Sequence, residues 1–141
     1  MDMNEEMKKI IILENYQNPK NRGLIEDDTY KKINTNSESC IDQIYLQVKI
    51  EDGKIIDIRF DGEACAICTS TTSIMIGMLL NKSVEEALDI INNYQNMIDE
   101  KEYNIDLLKE AIVYSDIAKQ PNRKKCATLT WDGMENLLEK R

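Results

Sequence analysis

The placement of four cysteines in a chain without histidine constrains the fold more than any other feature. Cys40 stands two residues before Asp42, whereas Cys65 and Cys126 lie far from this pair and from each other in sequence. Thiolates and carboxylates both bind Zn²⁺, and thiolates also hold iron–sulfur clusters. On extended chain, Cys40 and Asp42 would point to the same side. These four side chains predict a tetrahedral metal site that only a folded domain can assemble, which excludes a small zinc finger.

The composition predicts one acidic domain spanning residues 1–141. Eighteen Lys and Arg residues against 26 Asp and Glu give a net charge of −8, which argues against nucleic-acid binding. No apolar stretch approaches the ~20 residues that span a bilayer, and the polar residues 1–9 do not resemble a secretory signal. We therefore expect a cytoplasmic protein without a membrane partner, whose cysteines are reduced; two disulfides are the alternative.

Alternating apolar residues predict an antiparallel hairpin. The first strand runs from Gln43 to Ile50 with every second residue apolar, and Asp52-Gly53 is a strong turn signal. The returning strand, Lys54 to Phe60, is expected to place Ile56, Ile58 and Phe60 on one face. A third strand is expected near residues 30–38.

Helical patterns surround this hairpin. The expected helices cover residues 3–17, Thr69 or Ser70 to about Leu80, Ser83 to about Asn96, Leu107 to Ala118, and Arg123 to about Lys140. Strands followed by helices indicate an α+β domain, with a small antiparallel sheet and helices packed on one face.

The cysteines have different expected surroundings. Cys65 should lie in the loop between a strand and a helix, and Cys126 in the first turn of the last helix, where nearby cations favour a thiolate. Each could instead be a small buried hydrophobic residue, as free cysteines often are. Cys68 completes a Cys-x-x-Cys motif and is either a packed, non-ligand residue or an auxiliary ligand or resolving thiol.

Four segments together resemble one family. They are Tyr16–Gly23, Cys40–Asp42, Gly62–Cys68 and Arg123–Trp131. In this order they resemble the SufU-type branch of the IscU-like (NifU N-terminal-like) iron–sulfur cluster assembly proteins. The resemblance implies a SufE/IscU-like fold and metal binding by Cys40, Asp42, Cys65 and Cys126. Ile41 replaces the glycine that the family carries between the first cysteine and the aspartate.

The resemblance also distinguishes two functions. Scaffolds of the IscU type carry histidine immediately before the last cysteine, where this chain has Lys125, and SufU-type proteins share the long insertion containing Asn81 to Tyr103. Resemblance to the SufU branch implies a zinc-bound sulfurtransferase that takes persulfide sulfur from a pyridoxal-phosphate cysteine desulfurase (SufS-like). Cys40 would be the catalytic sulfur acceptor. Such a protein would also work with other iron–sulfur assembly proteins. The alternatives are a scaffold on which a [2Fe–2S] cluster is assembled and a non-catalytic zinc-binding adaptor.

Overall fold

The computed structural model describes residues 4–36 and 42–139. Its three strands are β1 (Lys31–Asn36), β2 (Gln43–Glu51) and β3 (Lys54–Glu63), paired antiparallel in the order β1-β2-β3. The helices are α1 (Glu5–Gln17), α2 (Ala66–Leu79), α3 (Val84–Ile98), α4 (Ile105–Leu108), a 3₁₀ helix (Lys109–Lys119) and α5 (Pro121–Glu139). Helices α2 and α5 pack on the sheet, so the α+β prediction is confirmed.

The hairpin forms as expected, but one core position was predicted wrongly. Ile58 and Phe60 face the core, whereas Ile56 is 36% exposed and Ile55 is buried in its place. The cause is a β-bulge: Lys49 pairs with Asp57 and the next residue of β2 pairs with Ile55, so Ile56 is an extra residue in β3. A bulge reverses the alternation of side chains beyond it.

Helix α2 is the centre of the molecule. All residues from Ile67 to Ile76 are buried, and the helix contacts α1, the 3₁₀ helix, α5 and β3. It begins earlier than expected, at Ala66 rather than near Thr69, because Cys65 serves as the N-cap and its Sγ accepts a hydrogen bond from the Cys68 backbone N–H. A thiol therefore takes the capping role expected of a hydroxyl.

Two other helical boundaries differ from expectation. The segment predicted as one helix over residues 107–118 is the short α4 followed by the 3₁₀ helix, and Lys109 between them has a φ of +46° that interrupts an α-helix. Helix α5 begins at Pro121 rather than Arg123, since proline is well suited to the first helical position. Cys126 consequently lies in the second turn of α5, not the first.

The segment from Asn18 to Gly23, called the strap below, joins α1 to the edge of β3. The Gly23 N–H donates to the Phe60 carbonyl at 2.7 Å, and the Phe60 N–H donates to the Asn21 carbonyl at 3.2 Å. The Lys20 N–H donates to Ser73 of α2 at 3.0 Å. The strap therefore fixes α1, the sheet and α2 relative to one another.

The amino-terminal helix is only partly covered. Ile11 and Ile12 pack against the core, whereas the apolar side chains of Met7, Ile10 and Leu13 are exposed. Among the described residues, no helix combines the length and the apolar character that crossing a membrane requires.

Candidate metal and thiol site

Three of the predicted metal ligands meet at one point. Asp42 directly precedes β2, Cys65 caps α2 and Cys126 lies in α5, yet one carboxylate oxygen and the two Sγ atoms all lie within 4.8 Å of one another. The fold thus joins segments separated by up to 84 residues of sequence (126 minus 42). Cys40 lies outside the described residues, so its place in the site stays a prediction.

Asp42 is buried, with only 1% of its surface exposed. Its Oδ1 accepts a hydrogen bond from the Cys65 backbone N–H at 2.7 Å, and the Cys65 thiol donates to its Oδ2 at 3.5 Å. A carboxylate removed from water is costly unless charged or hydrogen-bonding groups compensate it. These contacts hold the buried carboxylate in place and connect it directly to a thiol.

The three described cysteines differ in exposure. Cys65 is partly exposed, Cys126 is 6% exposed and Cys68 is fully buried, and none of these three described cysteines is in a disulfide. Among the described residues, Cys68 does not join the cluster of Asp42, Cys65 and Cys126. This position fits a packed thiol beside the site.

The prediction that Cys126 lies in the first turn of the last helix, where the helix dipole favours a thiolate, was wrong. The influence of a helix dipole fades beyond the first turn, and Cys126 is in the second turn of α5. It is Cys65 that lies at a helix N-terminus, where α2 presents backbone N–H groups without intrahelical partners. Arg123 and Lys125 are exposed, so both can meet a partner protein at the surface.

A run of buried hydroxyls on α2, from Thr69 to Ser73, holds the elements around the site. Apart from Thr69, which bonds within its own segment, each hydroxyl contacts another part of the fold. The pairs are Ser70 with Tyr114 (2.5 Å), Thr71 with Tyr94 (3.0 Å), Thr72 with Thr130 (2.8 Å) and Ser73 with Asn15 (2.7 Å). Because buried polar groups are stabilising only when satisfied, this run specifies how α1, α3, the 3₁₀ helix and α5 pack on α2.

One of these contacts extends to the neighbour of Cys126. The Trp131 Nε1–H donates to Thr71 Oγ1 at 2.9 Å, which leaves the Thr71 hydroxyl to donate to Tyr94, and the Tyr94 hydroxyl donates to the Ala127 carbonyl at 2.8 Å. Burial raises the pKa of Tyr94 well above its ordinary value, so its phenol keeps the proton that it donates. The Tyr94 ring also stacks on Trp131, with centroids 3.8 Å apart. This series of hydrogen bonds fixes the backbone next to Cys126.

A glycine shapes the approach to Cys65. Gly62 has a φ of +131°, and a Cβ at this position would overlap the carbonyl oxygen of Gln43 on the paired strand. Arg22 of the strap donates to the Gly62 carbonyl at 2.6 Å and lies 3.5 Å from the Asp61 carboxylate. The end of β3 that leads to Cys65 is therefore bonded to Arg22 and packed closely against the backbone of Gln43.

Comparison with known proteins decides the family. The model of the NifU-like N-terminal domain matches residues 7–127 of the chain. The chain belongs to the NifU-like N-terminal domain family. This domain occurs in proteins of iron–sulfur cluster assembly, and the resemblance seen in the sequence is confirmed.

Two relatives of this NifU-like domain carry different descriptions. The zinc-dependent sulfurtransferase SufU of Bacillus subtilis is 31% identical over 92% of this chain and 88% of its own. The iron–sulfur cluster assembly scaffold protein IscU of Thermotoga maritima is 33% identical over 92% of this chain and 90% of its own. The two identities are too similar to separate a sulfurtransferase from a scaffold.

Solved structures agree with the fold. A SufU from Fervidobacterium islandicum AW-1, described as a candidate assembly scaffold for the SUF system, superposes with a TM-score of 0.85 at 31% identity, covering 91% of this chain and 93% of its own. The amino-terminal part of a NifU-like protein from Brucella abortus gives a TM-score of 0.80 at 18% identity, covering 96% of each chain, and supports the fold alone.

Sequence reasoning about this NifU-like domain missed the residues that support the site. It used Tyr16–Gly23 only as a segment of the family resemblance, whereas the strap within it forms hydrogen bonds to Ser73 and Gly62. It also gave no role to the hydroxyl run. A signal was present, because consecutive hydroxyl residues inside an otherwise apolar helix need buried partners.

Proposed function

We propose that this protein accepts persulfide sulfur from a pyridoxal-phosphate cysteine desulfurase and relays it during iron–sulfur cluster assembly. Cys40 is the acceptor, and Cys40, Asp42, Cys65 and Cys126 form a zinc site. The observation that carries the proposal is the convergence of Asp42, Cys65 and Cys126 in a chain that has no histidine. The resemblance to the SufU branch, which lacks the histidine of IscU scaffolds, supports the relay over the scaffold.

The three described ligands suit zinc in chemistry and in spacing. Thiolate and carboxylate are both zinc ligands, and Zn–S bonds of about 2.3 Å place two sulfurs of a tetrahedral site about 3.8 Å apart. The described ligand atoms lie within 4.8 Å of one another, so a contraction of about 1 Å would be sufficient. Zn²⁺, when bound, would keep the cysteines as thiolates without redox chemistry of its own.

The chain's own residues prepare this site before any metal binds. The Cys65 N–H holds the Asp42 carboxylate, and the hydrogen bond from Tyr94 to Ala127 fixes the backbone beside Cys126. Two ligands on separate elements are therefore held in place, and Cys40 precedes Asp42 by two residues. This preorganisation supports a site in which one thiol can react while the others keep their places.

The proposed transfer is a thiol–disulfide exchange. The Cys40 thiolate attacks the terminal sulfur of the desulfurase persulfide, and a new S–S bond forms on Cys40. The S–S bond of the partner breaks, and its cysteine leaves as a thiolate that takes a proton. The reaction requires reduced thiols, which we place in the cytoplasm.

A scaffold function is the second candidate. It is favoured by the identity to a protein described as a scaffold and uses the same ligand set. Metal analysis of protein purified with and without air separates the two: colourless protein with zinc supports the relay, and brown protein with iron and labile sulfide supports the scaffold. Zinc-bound protein that neither accepts sulfur nor stimulates a desulfurase would instead be an adaptor.

The decisive experiment compares two cysteine variants. Protein is incubated with a cysteine desulfurase and cysteine, and the sulfur adduct is measured by mass spectrometry. We expect Cys40→Ser to lose the adduct while remaining folded, since serine cannot form a persulfide. Cys68→Ser is the matched control and should keep both the metal and the adduct. A Cys40→Ser protein that still accepts sulfur and stimulates the desulfurase would remove Cys40 from the mechanism.

A further inference from the structure

Cys65 and Cys68 form a Cys-x-x-Cys pair at the N-terminus of α2 that the proposed sulfur transfer does not use. We propose that this pair is a redox modification site: a low-molecular-weight disulfide reacts at Cys65, and Cys68 then resolves the adduct into an intramolecular disulfide. The disulfide exchange involves neither Cys40 nor a desulfurase, whereas its effect on metal retention rests on the proposed zinc site.

The geometry places the two residues for this reaction. Cys65 is the N-cap of α2, and its Sγ lies 3.4 Å from the backbone nitrogen of Cys68. Cβ atoms three residues apart on a helix are about 5–6 Å apart, and a disulfide needs about 3.5–4.5 Å. The N-cap residue lies outside the helical backbone, with a ψ of 168°, so a small rotation there can supply the remaining approach without unwinding α2.

The difference in exposure sets the order of events. Cys65 is partly exposed, whereas Cys68 has no exposed surface. A reagent from solution therefore reaches Cys65 first, and Cys68 is restricted to a neighbouring sulfur within the protein. An accessible reactive thiol with a second thiol beside it is the arrangement typical of redox-sensing cysteines.

The reaction balances as two exchanges. In the first, the Cys65 thiolate attacks one sulfur of the disulfide R–S–S–R, forms Cys65–S–S–R and releases R–S⁻. In the second, the Cys68 thiol loses its proton and attacks the Cys65 Sγ, forming the Cys65–Cys68 bond and releasing the second R–S⁻. The two cysteines are oxidised, and the added disulfide is reduced to two thiols.

Among the described cysteines, Cys126 is the competing resolving thiol, because its Sγ lies within 4.8 Å of the Cys65 Sγ. It is carried by another helix, however, whose position is held by the hydrogen bond from Tyr94 to the Ala127 carbonyl and by the bond between the Thr72 and Thr130 hydroxyls. Closing a Cys65–Cys126 bond would move α5 against α2. Closing a Cys65–Cys68 bond adjusts only the first turn of one helix.

Oxidation of this pair would alter the site itself. Cys65 in a disulfide no longer offers a thiolate, so one of the described ligands is lost. The pair therefore couples the redox state of the surrounding thiol pool to metal retention. A chain with serine at position 68 would lack this response.

The test treats the purified full-length protein with glutathione disulfide, without a desulfurase. Intact mass and non-reducing peptide mapping identify each cysteine's state, and a chromogenic chelator records zinc release. We expect the wild type to lose two hydrogens through a Cys65–Cys68 bond. Cys68→Ser should instead retain one glutathionyl group on Cys65. In Cys126→Ser the Cys65–Cys68 bond should still form.

Several results would overturn the pairing. They are a lasting glutathione adduct on Cys65 in the wild type, a disulfide that maps to Cys65 and Cys126, and a Cys65 that does not react. Thermal unfolding of each variant is recorded in parallel, and Cys68→Ala provides a second resolving-thiol variant if Cys68→Ser does not fold. Because Cys40 and the desulfurase are not needed, failure here leaves the sulfur-transfer proposal standing.

Discussion

Gly62→Ala should be among the most damaging single-methyl changes near the site. The φ of +131° is a conformation that side chains rarely adopt, and the added Cβ would overlap the Gln43 carbonyl oxygen. Backbone strain of this kind costs about 1–3 kcal/mol, and forcing an extra methyl into a packed contact costs about 1–3 kcal/mol more. Together, ~2–6 kcal/mol is a large part of the 5–15 kcal/mol typical of a domain.

The chain supplies a matched control for Gly62→Ala. Gly53, in the β2–β3 turn, also has a positive φ, +75°, but nothing lies within 4 Å of a Cβ built there. Gly53→Ala should cost only the left-handed conformation, about 1–2 kcal/mol. Urea unfolding of both variants measures the difference, and zinc content reports the effect on Cys65. Equal losses of stability in the two variants would refute the argument from the Gln43 contact.

Two further predictions concern the helical layer. Thr71→Val should destabilise the fold by about 1–3 kcal/mol in urea unfolding, because the buried Trp131 Nε1–H loses its acceptor. Thr71→Ser keeps the hydroxyl and should retain most of the stability. Equal losses in both variants would contradict this reasoning. Burial, together with the nearby Glu135 carboxylate, raises the pKa of Asp132 above its ordinary 3.8, so the native state holds this proton more tightly than the unfolded state. Relative to Asp132→Asn, wild-type stability should therefore fall as the pH rises from 3.8 through the raised pKa, and an unchanged difference across a pH series of unfolding curves would contradict the assignment.

Local sequence patterns predicted the elements better than their exact limits. The alternation in β2 gave the hairpin, and the Ser83–Glu86 capping box gave α3, because both signals depend on residues close in sequence. The bulge at Ile56 could not be predicted, since two registers of the same apolar residues fit the pattern equally well. The thiol cap at Cys65 was missed because capping rules are based on oxygen acceptors.

Three of the four predicted ligands come together in the structure, but the residues that support them were not predicted. Asp42, Cys65 and Cys126 could be chosen from ligand chemistry and from the family resemblance, and they meet in the structure. The contacts that fix them, such as Thr71 with Tyr94, join residues more than 20 positions apart whose pairing no local pattern encodes. Long-range hydrogen bonds are set by the packing of whole elements.

The strap also determines which side of the sheet can accept another strand. The outer edge of β3 is occupied at one end by residues 21–23 and at the other by residues 82–84, which bond to residues 53–55. Within the part of the chain that the structure describes, β1 is the edge without such a cover, and it begins with two lysines, which disfavour pairing between sheets. A truncation that removes the strap would uncover the edge of β3, and with it a template for self-association through unpaired backbone groups.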